Sequence, residues 1–209
     1  MMRNPFKHHY TQEQVDEAAE ELGWGTKIQR RVPRSGGEPL HFQIRLPNDA
    51  RCIEVSDLAA AAQNAPAWLE GRSEALRDVG RQAGAVLVGA VCDQSDPTDV
   101  LLTITVVFSE QVDGPAMQVS EPAPGEKVIQ RVERISDTET RVKRTSAVTL
   151  EPGADPIGLL VDEYLIQTGF GGLAIAFSTT HNGMLGGRGQ GFFRAILKTL
   201  WLGDAEAPN

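Results

Sequence analysis

The chain has 209 residues and a formal net charge of −8, from 20 basic and 28 acidic residues. This acidic balance argues against nucleic acid as the main partner, because binding to phosphates needs a basic surface. An apolar content of 41% is ordinary for a globular protein, and no stretch approaches the roughly 20 apolar residues that a membrane span requires. We therefore expect a cytoplasmic protein that binds neither nucleic acid nor membranes.

Residues 1–39 are predicted to form an appendage. The first ten residues lack the apolar run of a signal peptide. Residues 12–22 are predicted to be a helix, because Thr11 and Gln14 match a capping box. This helix is acidic and could dock a basic partner, but a solvated acidic face is the simpler interpretation. A basic linker rich in proline and glycine follows it, and the domain is expected to begin near Leu40.

From residue 40 onward, strand-like segments follow one another over short turns. Residues 40–46 alternate apolar and polar side chains, which is typical of a half-buried strand. Further strands are predicted at residues 51–55, 85–92, 100–108, 127–135, 140–150, 159–166 and 173–177. Residues 159–166 are apolar on both faces, so this strand is expected to be central in the sheet. In the strand at 100–108 the residues that share one face are Val100, Leu102, Ile104, Val106 and Phe108. A helix is predicted at residues 66–83, with Pro66 at its first position, and Ser56 or Asp57 can cap a shorter one before it. The fold class expected from this order is α/β (α+β), an α/β/α sandwich around a mainly antiparallel meander sheet.

The chain ends in a predicted amphipathic helix at residues 191–202. With 3.6 residues per turn, one half of this helix is apolar. The apolar residues are Phe192, Phe193, Ile196, Leu197, Leu200 and Trp201. A helix of this kind needs an apolar sheet to pack on, so Phe193 and Trp201 are expected to point into the core. The domain is thus predicted to span residues 40–203, with residues 204–209 as a tail.

A glycine-rich segment, residues 183–191, precedes that helix. Backbone N–H groups at a helix N-terminus can bind a phosphate, and Arg188 would add positive charge. Neither a dinucleotide-binding fingerprint nor a P-loop is present, so a flexible connection is the simpler interpretation. The candidate ligand-binding or partner-binding residues of this segment are His181, Asn182, Arg188 and Gly189.

No catalytic motif accompanies these residues. His181 could form an acid/base pair with Asp162 or Glu163, but no serine or cysteine lies in a nucleophile elbow. We therefore expect a protein that is not an enzyme and that has no cofactor.

The remaining histidines and the cysteines do not predict a metal site. His8, His9 and His41 lack ligand spacing with any cysteine. Cys52 and Cys92 lie in separate apolar segments and are expected to be buried free thiols, since cysteine packs as a small hydrophobic residue.

The strands at residues 127–135 and 140–150 are predicted to form a hairpin that is the most basic part of the chain. Its basic residues are Lys127, Arg131, Arg134, Arg141, Lys143 and Arg144. Acidic residues alternate with them, so charge pairing between strands on a solvated face is the simpler interpretation. A face that binds anions or a partner is the alternative.

The order of elements over residues 40–202 resembles the Mog1/PsbP-like fold, including its small actinobacterial relatives. The resemblance lies in the Leu46-Pro47 pair after an early strand, in the meander, in Phe177-Ser178-Thr179 and in the final helix. The chain departs from that pattern after Pro47, where Asn48-Asp49-Ala50 stands instead of a tryptophan. The resemblance implies an α/β/α sandwich without shared catalytic residues, and hence a small accessory or binding module.

The leading hypothesis is therefore a non-enzymatic module that binds another protein. Three surfaces are candidates: the sheet edge, the acidic helix at residues 12–22 and the glycine-rich segment. The alternative is a binder of a small anionic ligand with Arg188 as the contact. A homodimer is compatible with either function.

Overall fold

The computed structural model describes residues 24–54, 81, 84–96, 100–111, 113, 128–148, 157–180 and 187–204. These residues form ten β-strands and one α-helix. In chain order the elements are β1 (Thr26–Val32), β2 (Leu40–Leu46), β3 (Ala50–Glu54), β4 (Ala85–Asp93), β5 (Val100–Ser109), β6 (Val128–Arg134), β7 (Glu139–Val148), β8 (Ile157–Thr168), β9 (Gly171–Thr179), α1 (Gly187–Lys198) and β10 (Trp201–Gly203).

The strands form two antiparallel sheets. The larger sheet has the order β3-β4-β5-β9-β8-β7-β6, and the smaller one has the order β1-β2-β10. Strands β6 to β9 pair consecutively, and β9 then pairs with β5. This arrangement leaves β6 at one edge of the larger sheet.

Both sheets and the helix contribute to one apolar core. Phe42 and Ile44 come from the smaller sheet, Ile104 and Phe177 from the larger sheet, and Phe193 from α1. In β5, period-two alternation places the apolar side chains on one face, because alternate residues of a strand point to the same face. All five apolar residues predicted to share one face of β5 are buried; these are Val100, Leu102, Ile104, Val106 and Phe108.

The α/β/α sandwich predicted from the sequence is wrong. The described residues form a mostly β structure, with two antiparallel sheets and a single helix of 12 residues. The antiparallel pairing was predicted correctly, but the chain does not place all its strands in one central sheet. β2 pairs with β1 and β10 instead, so a second sheet covers part of the core surface that the sandwich would assign to helices.

The missed element is β1, which lies in the segment interpreted as a linker. It pairs with β2 from Thr26 opposite Leu46 to Val32 opposite Leu40. Its inward-facing positions include Arg30, between two apolar residues, so its sequence does not alternate. The side chain of Arg30 forms an ion pair with Glu54 at the end of β3, which explains how a cation is accommodated there. The division into appendage, domain and tail stays a prediction.

The C-terminal helix is shifted toward the N-terminus relative to the prediction. It begins at Gly187, within the glycine-rich segment, and ends at Lys198. Thr199 explains the end: its hydroxyl donates to the Ile196 carbonyl at 2.7 Å and accepts from the backbone N–H of Arg45 at 2.8 Å. The chain then enters β10, which pairs with β2.

The predicted burial of the helix is confirmed. Phe193 is fully buried, and its ring stacks on that of Phe177 with 4.9 Å between centroids and 6° between planes. Trp201 is also buried, although it lies in β10 and not in the helix. The burial of Phe193 and Trp201 was therefore predicted correctly, although Trp201 belongs to a strand and not to the helix.

The turn between β8 and β9 places Gly171 against the end of β5. Gly171 has a φ of +144°, and an added Cβ would lie 2.2 Å from the carbonyl oxygen of Ser109. Only glycine fits this position, since it lacks the Cβ that would collide with the backbone. The prediction that β8 is central in the sheet is confirmed, because β8 pairs with both β7 and β9.

The predicted helices at residues 12–22 and 66–83 lie outside the described residues, except for Arg81, which is in a turn. The shorter helix predicted after Ser56 or Asp57 also lies outside them. Where the chain is described, no helix has the length and apolar character needed to cross a bilayer.

Candidate functional site

The structure locates two of the four predicted ligand-binding residues. Arg188 and Gly189 lie in the first turn of α1, and Gly189 is buried. They are therefore part of the helix, and not of a loop that precedes it. His181 and Asn182 lie outside the described residues, so the anion site stays a prediction.

A buried ion pair joins β7 and β8 beside the apolar core. The Arg141 guanidinium donates through Nε to Asp162 Oδ1 at 2.7 Å and through Nη2 to Asp162 Oδ2 at 2.5 Å. The hydroxyl of Tyr164 donates to the same Oδ2 at 3.2 Å, and the Arg141 guanidinium lies 5.7 Å from the Tyr164 ring centroid. Asp162 and Tyr164 are almost completely buried, as is Arg141. This bidentate geometry gives Asp162 a full set of partners.

The arginine and the tyrosine of this cluster have raised pKa values. The hydrogen bonds to Asp162 raise the pKa of Arg141. Burial raises the pKa of Tyr164, and the negative charge of Asp162 raises it further. A charged arginine and a neutral tyrosine hydroxyl therefore persist over the physiological pH range, which is the behaviour of a structural ion pair.

Asp162 and Glu163 do not form one acid/base centre. Adjacent residues of a strand point to opposite faces of a sheet, and each carboxylate has its own arginine. The distance between Arg144 Nη1 and Glu163 Oε2 is 3.1 Å. Burial raises the pKa of Glu163, while Arg144 opposes that rise. The two carboxylates thus serve two separate charge pairs.

The edge strand β6 is the most exposed apolar feature of the described residues. Ile129 is 70% exposed, Val132 is 57% exposed, and Ile135, which follows the strand, is 39% exposed. These are the large apolar side chains that the described part of the chain leaves exposed. Ile129 and Val132 lie on β6, whose one pairing partner among the described strands is β7. Natural proteins usually protect such an edge.

The charges around β6 are only partly paired. Glu133 lies 3.7 Å from Arg141, and Arg134 lies 3.2 Å from Asp137. The Glu133–Arg141 contact is the predicted charge pairing between the two strands of the hairpin, whereas Arg134 and Asp137 pair at its turn. The face is not solvated throughout, because Arg141 is buried. Arg131, however, stands directly opposite Lys143 in the register of β6 and β7.

Arg131 and Lys143 are two like charges without an acidic partner among the described residues. Lys143 also faces Asp162 on β8, but both carboxylate oxygens of Asp162 accept hydrogen bonds from Arg141. Like charges at directly opposed positions destabilise a strand pair by about 0.2–1 kcal/mol. A carboxylate supplied from outside the subunit would relieve this repulsion.

The basic hairpin was predictable from the sequence, but its exposed apolar residues were not. Ile129 and Val132 are three residues apart and therefore lie on opposite faces of β6. The strand therefore does not have one apolar face and one polar face, and its sequence shows no amphipathic pattern. Apolar residues on both faces of a strand that is also rich in charges are the signal that could have identified an exposed edge.

The two cysteines are free thiols, as predicted. In the register of β3 and β4, Arg51 faces Cys92 and Cys52 faces Val91, so the two thiols point to opposite faces of the sheet. Cys92 is buried and Cys52 is half-buried. Burial raises the pKa of the Cys52 thiol to about 12, with a further contribution from the charge of Glu54.

We expect Cys52 to react slowly with alkylating reagents, because the thiolate is the nucleophile. In a Cys92→Ala variant at about pH 8, iodoacetamide should modify the folded protein more than about tenfold slower than the unfolded protein. The rate for the folded protein should keep rising up to about pH 10, because the thiol is still protonated there. A plateau near pH 9 in the folded protein would contradict the raised pKa.

No group of three or more histidine, cysteine, aspartate or glutamate residues that could hold a metal ion occurs within the described ranges. No model of a known protein family matches the chain, and no curated protein is significantly similar to it. The resemblance to the Mog1/PsbP-like family therefore stays a prediction. The feature of the described residues that bears on function is the exposed edge strand β6.

Proposed function

We propose that this protein is a cytoplasmic, non-enzymatic binding module that adds an extended segment of a protein partner to β6. The single observation that carries the proposal is the exposure of Ile129 and Val132 on an edge strand. In strand addition, backbone hydrogen bonds provide affinity, and side chains on alternate faces provide specificity. Two observations support this mode of binding: β6 is at the edge of the larger sheet, and its exposed apolar side chains Ile129 and Val132 lie on opposite faces.

The charges of the edge indicate the chemistry of the added segment. Arg131 and Lys143 face the same side of the sheet and have no acidic partner among the described residues. An added strand with a carboxylate near Arg131 would provide one. The preferred segment therefore combines β-branched or other apolar residues with at least one aspartate or glutamate.

A selection from random peptides displayed on phage tests this proposal on the immobilised protein. We expect enrichment of peptides that alternate apolar and acidic residues. Binding of a labelled selected peptide should weaken at least about tenfold in the Ile129→Lys/Val132→Lys double variant, because lysine on an edge opposes strand addition. Fluorescence anisotropy measures this change.

Thr145→Lys is the matched control variant. Thr145 is exposed and lies on β7, opposite Ile129, so the substitution adds a positive charge beside the edge without changing the edge itself. Peptide affinity should stay within about twofold of the original. Equal peptide affinity in the double variant and the original protein, or no enriched peptide, would contradict the proposal.

A further inference from the structure

We infer that the partner on β6 is a second copy of this chain, paired antiparallel so that Val132 faces Val132 of the partner subunit. This inference rests on the proposed function of the β6 edge and names its partner. The resulting dimer would join two seven-stranded sheets into one continuous sheet. Two features of β6 support this pairing: the order of its residues and the exposure of its apolar side chains.

The symmetry of a dimer restricts the pairing of two identical edges. A two-fold interface brings the same surface of both subunits together. When identical antiparallel strands pair about such an axis, one residue must face its own copy, with the axis midway between the two. This follows because directly opposed side chains lie on the same face. For β6, the central candidates are Arg131, Val132 and Glu133.

The register centred on Val132 pairs complementary residues at the positions one and three residues outward from the centre. Arg131 faces the partner's Glu133, and Glu133 faces the partner's Arg131. Ile129 faces the partner's Ile135 in the same way. Each of the three large apolar side chains that the described residues leave exposed is thus opposed by an apolar side chain of the other subunit.

The neighbouring registers lack this complementarity. Centring on Arg131 places two arginines opposite each other and puts Ile129 opposite the partner's Glu133. Centring on Glu133 places two glutamates opposite each other. Like charges at directly opposed positions are destabilising, so the order of residues along β6 favours the Val132 register.

The dimer would also balance the charges of the isolated edge. In one subunit, Arg131 stands opposite Lys143 without a carboxylate between them, and pairing brings the partner's Glu133 next to Arg131. Glu133 is 61% exposed on its side chain and lies 3.7 Å from Arg141, so it can contact a cation on either side. The cation that lacks an acidic partner among the described residues of one subunit therefore finds one in the other.

Charge reversal on the full-length protein tests the inference by sedimentation velocity over a range of micromolar concentrations. We expect the original protein to dimerise, and the Arg131→Glu and Glu133→Arg variants each to dimerise at least about tenfold more weakly, because each places like charges opposite each other. An equimolar mixture of the two variants should recover dimers. In the mixed dimer the two substituted side chains face each other with opposite charges, and so do the two unchanged ones.

This mixture separates lost pairing from lost folding, because unfolded variants cannot restore a heterodimer. Arg131→Glu also removes the repulsion with Lys143, so the melting temperature of that variant should not fall when both proteins are compared at a concentration at which they are monomeric. Arg31→Glu is the matched control: it reverses an exposed arginine on β1, the edge strand of the other sheet, and should leave dimerisation unchanged.

Two results would overturn the inference. One is an original protein that stays monomeric throughout, and the other is a dimer that tolerates both single reversals. Peptide selection distinguishes these failures from failure of the proposed function. Peptides that still bind the β6 edge would keep strand addition and exclude self-pairing, whereas the absence of both peptides and dimers would remove the two together.

Discussion

Asp162→Asn is expected to lower the free energy of unfolding by about 3–5 kcal/mol, the typical cost of removing one partner of a buried ion pair. The substitution keeps the shape of the side chain but removes its charge. Arg141, which is 6% exposed, would then hold an uncompensated positive charge next to the core. Urea unfolding followed by circular dichroism measures the change, with an unchanged denaturant slope as the check on two-state behaviour.

Glu133→Gln is the matched control for this prediction. It removes an acidic group from the same arginine, but Glu133 is exposed and 3.7 Å away, so the expected loss is only about 0–1 kcal/mol. The double variant Arg141→Met/Asp162→Leu should recover most of the lost stability, because apolar residues can replace a buried pair without leaving a charge. Equal losses for Asp162→Asn and Glu133→Gln would contradict the structural role of the pair.

Phe193→Ala is expected to cost about 3–5 kcal/mol of unfolding free energy, as is usual when a buried aromatic ring is removed from a core. The ring is fully buried and stacks on Phe177. Its removal would leave a cavity between α1 and the larger sheet. Thermal and urea unfolding both measure the loss.

Arg194→Ala provides the comparison for the helix, because Arg194 is the exposed neighbour of Phe193. It should change the unfolding free energy by less than about 0.5 kcal/mol. Phe193→Leu should give an intermediate loss, since leucine fills part of the cavity. A loss for Phe193→Ala as small as that for Arg194→Ala would mean that the helix does not pack on the sheet as described.

Most strands could be predicted because their cause is local. Alternation of apolar and polar residues identified β2, and apolar residues on both faces identified β8 as a central strand. β1 could not be recognised in this way, because Arg30 occupies an inward position where alternation requires an apolar residue. The contact that permits Arg30 there comes from Glu54, 24 residues away, and no local pattern contains it.

The candidate site was predictable only as a basic hairpin. Sequence alone grouped Arg131, Arg141 and Lys143 as basic residues of one hairpin. Tertiary structure distinguishes them: Arg141 is buried against Asp162, whereas Arg131 is exposed at the edge. The difference depends on how far the sheet extends beyond each strand, which periodicity does not report.

The amino-acid sequence by itself determined that β2, β5, β8 and β9 are strands and that Phe193 belongs to the core, because alternation and amphipathicity arise from side-chain direction within a few residues. Only the tertiary structure decided that β2 leaves the main sheet to pair with β1 and β10, and that β6 is the edge strand among the residues the structure describes. Strand partners are chosen by contacts between residues far apart in the chain, and the burial of a charge depends on the elements that surround it.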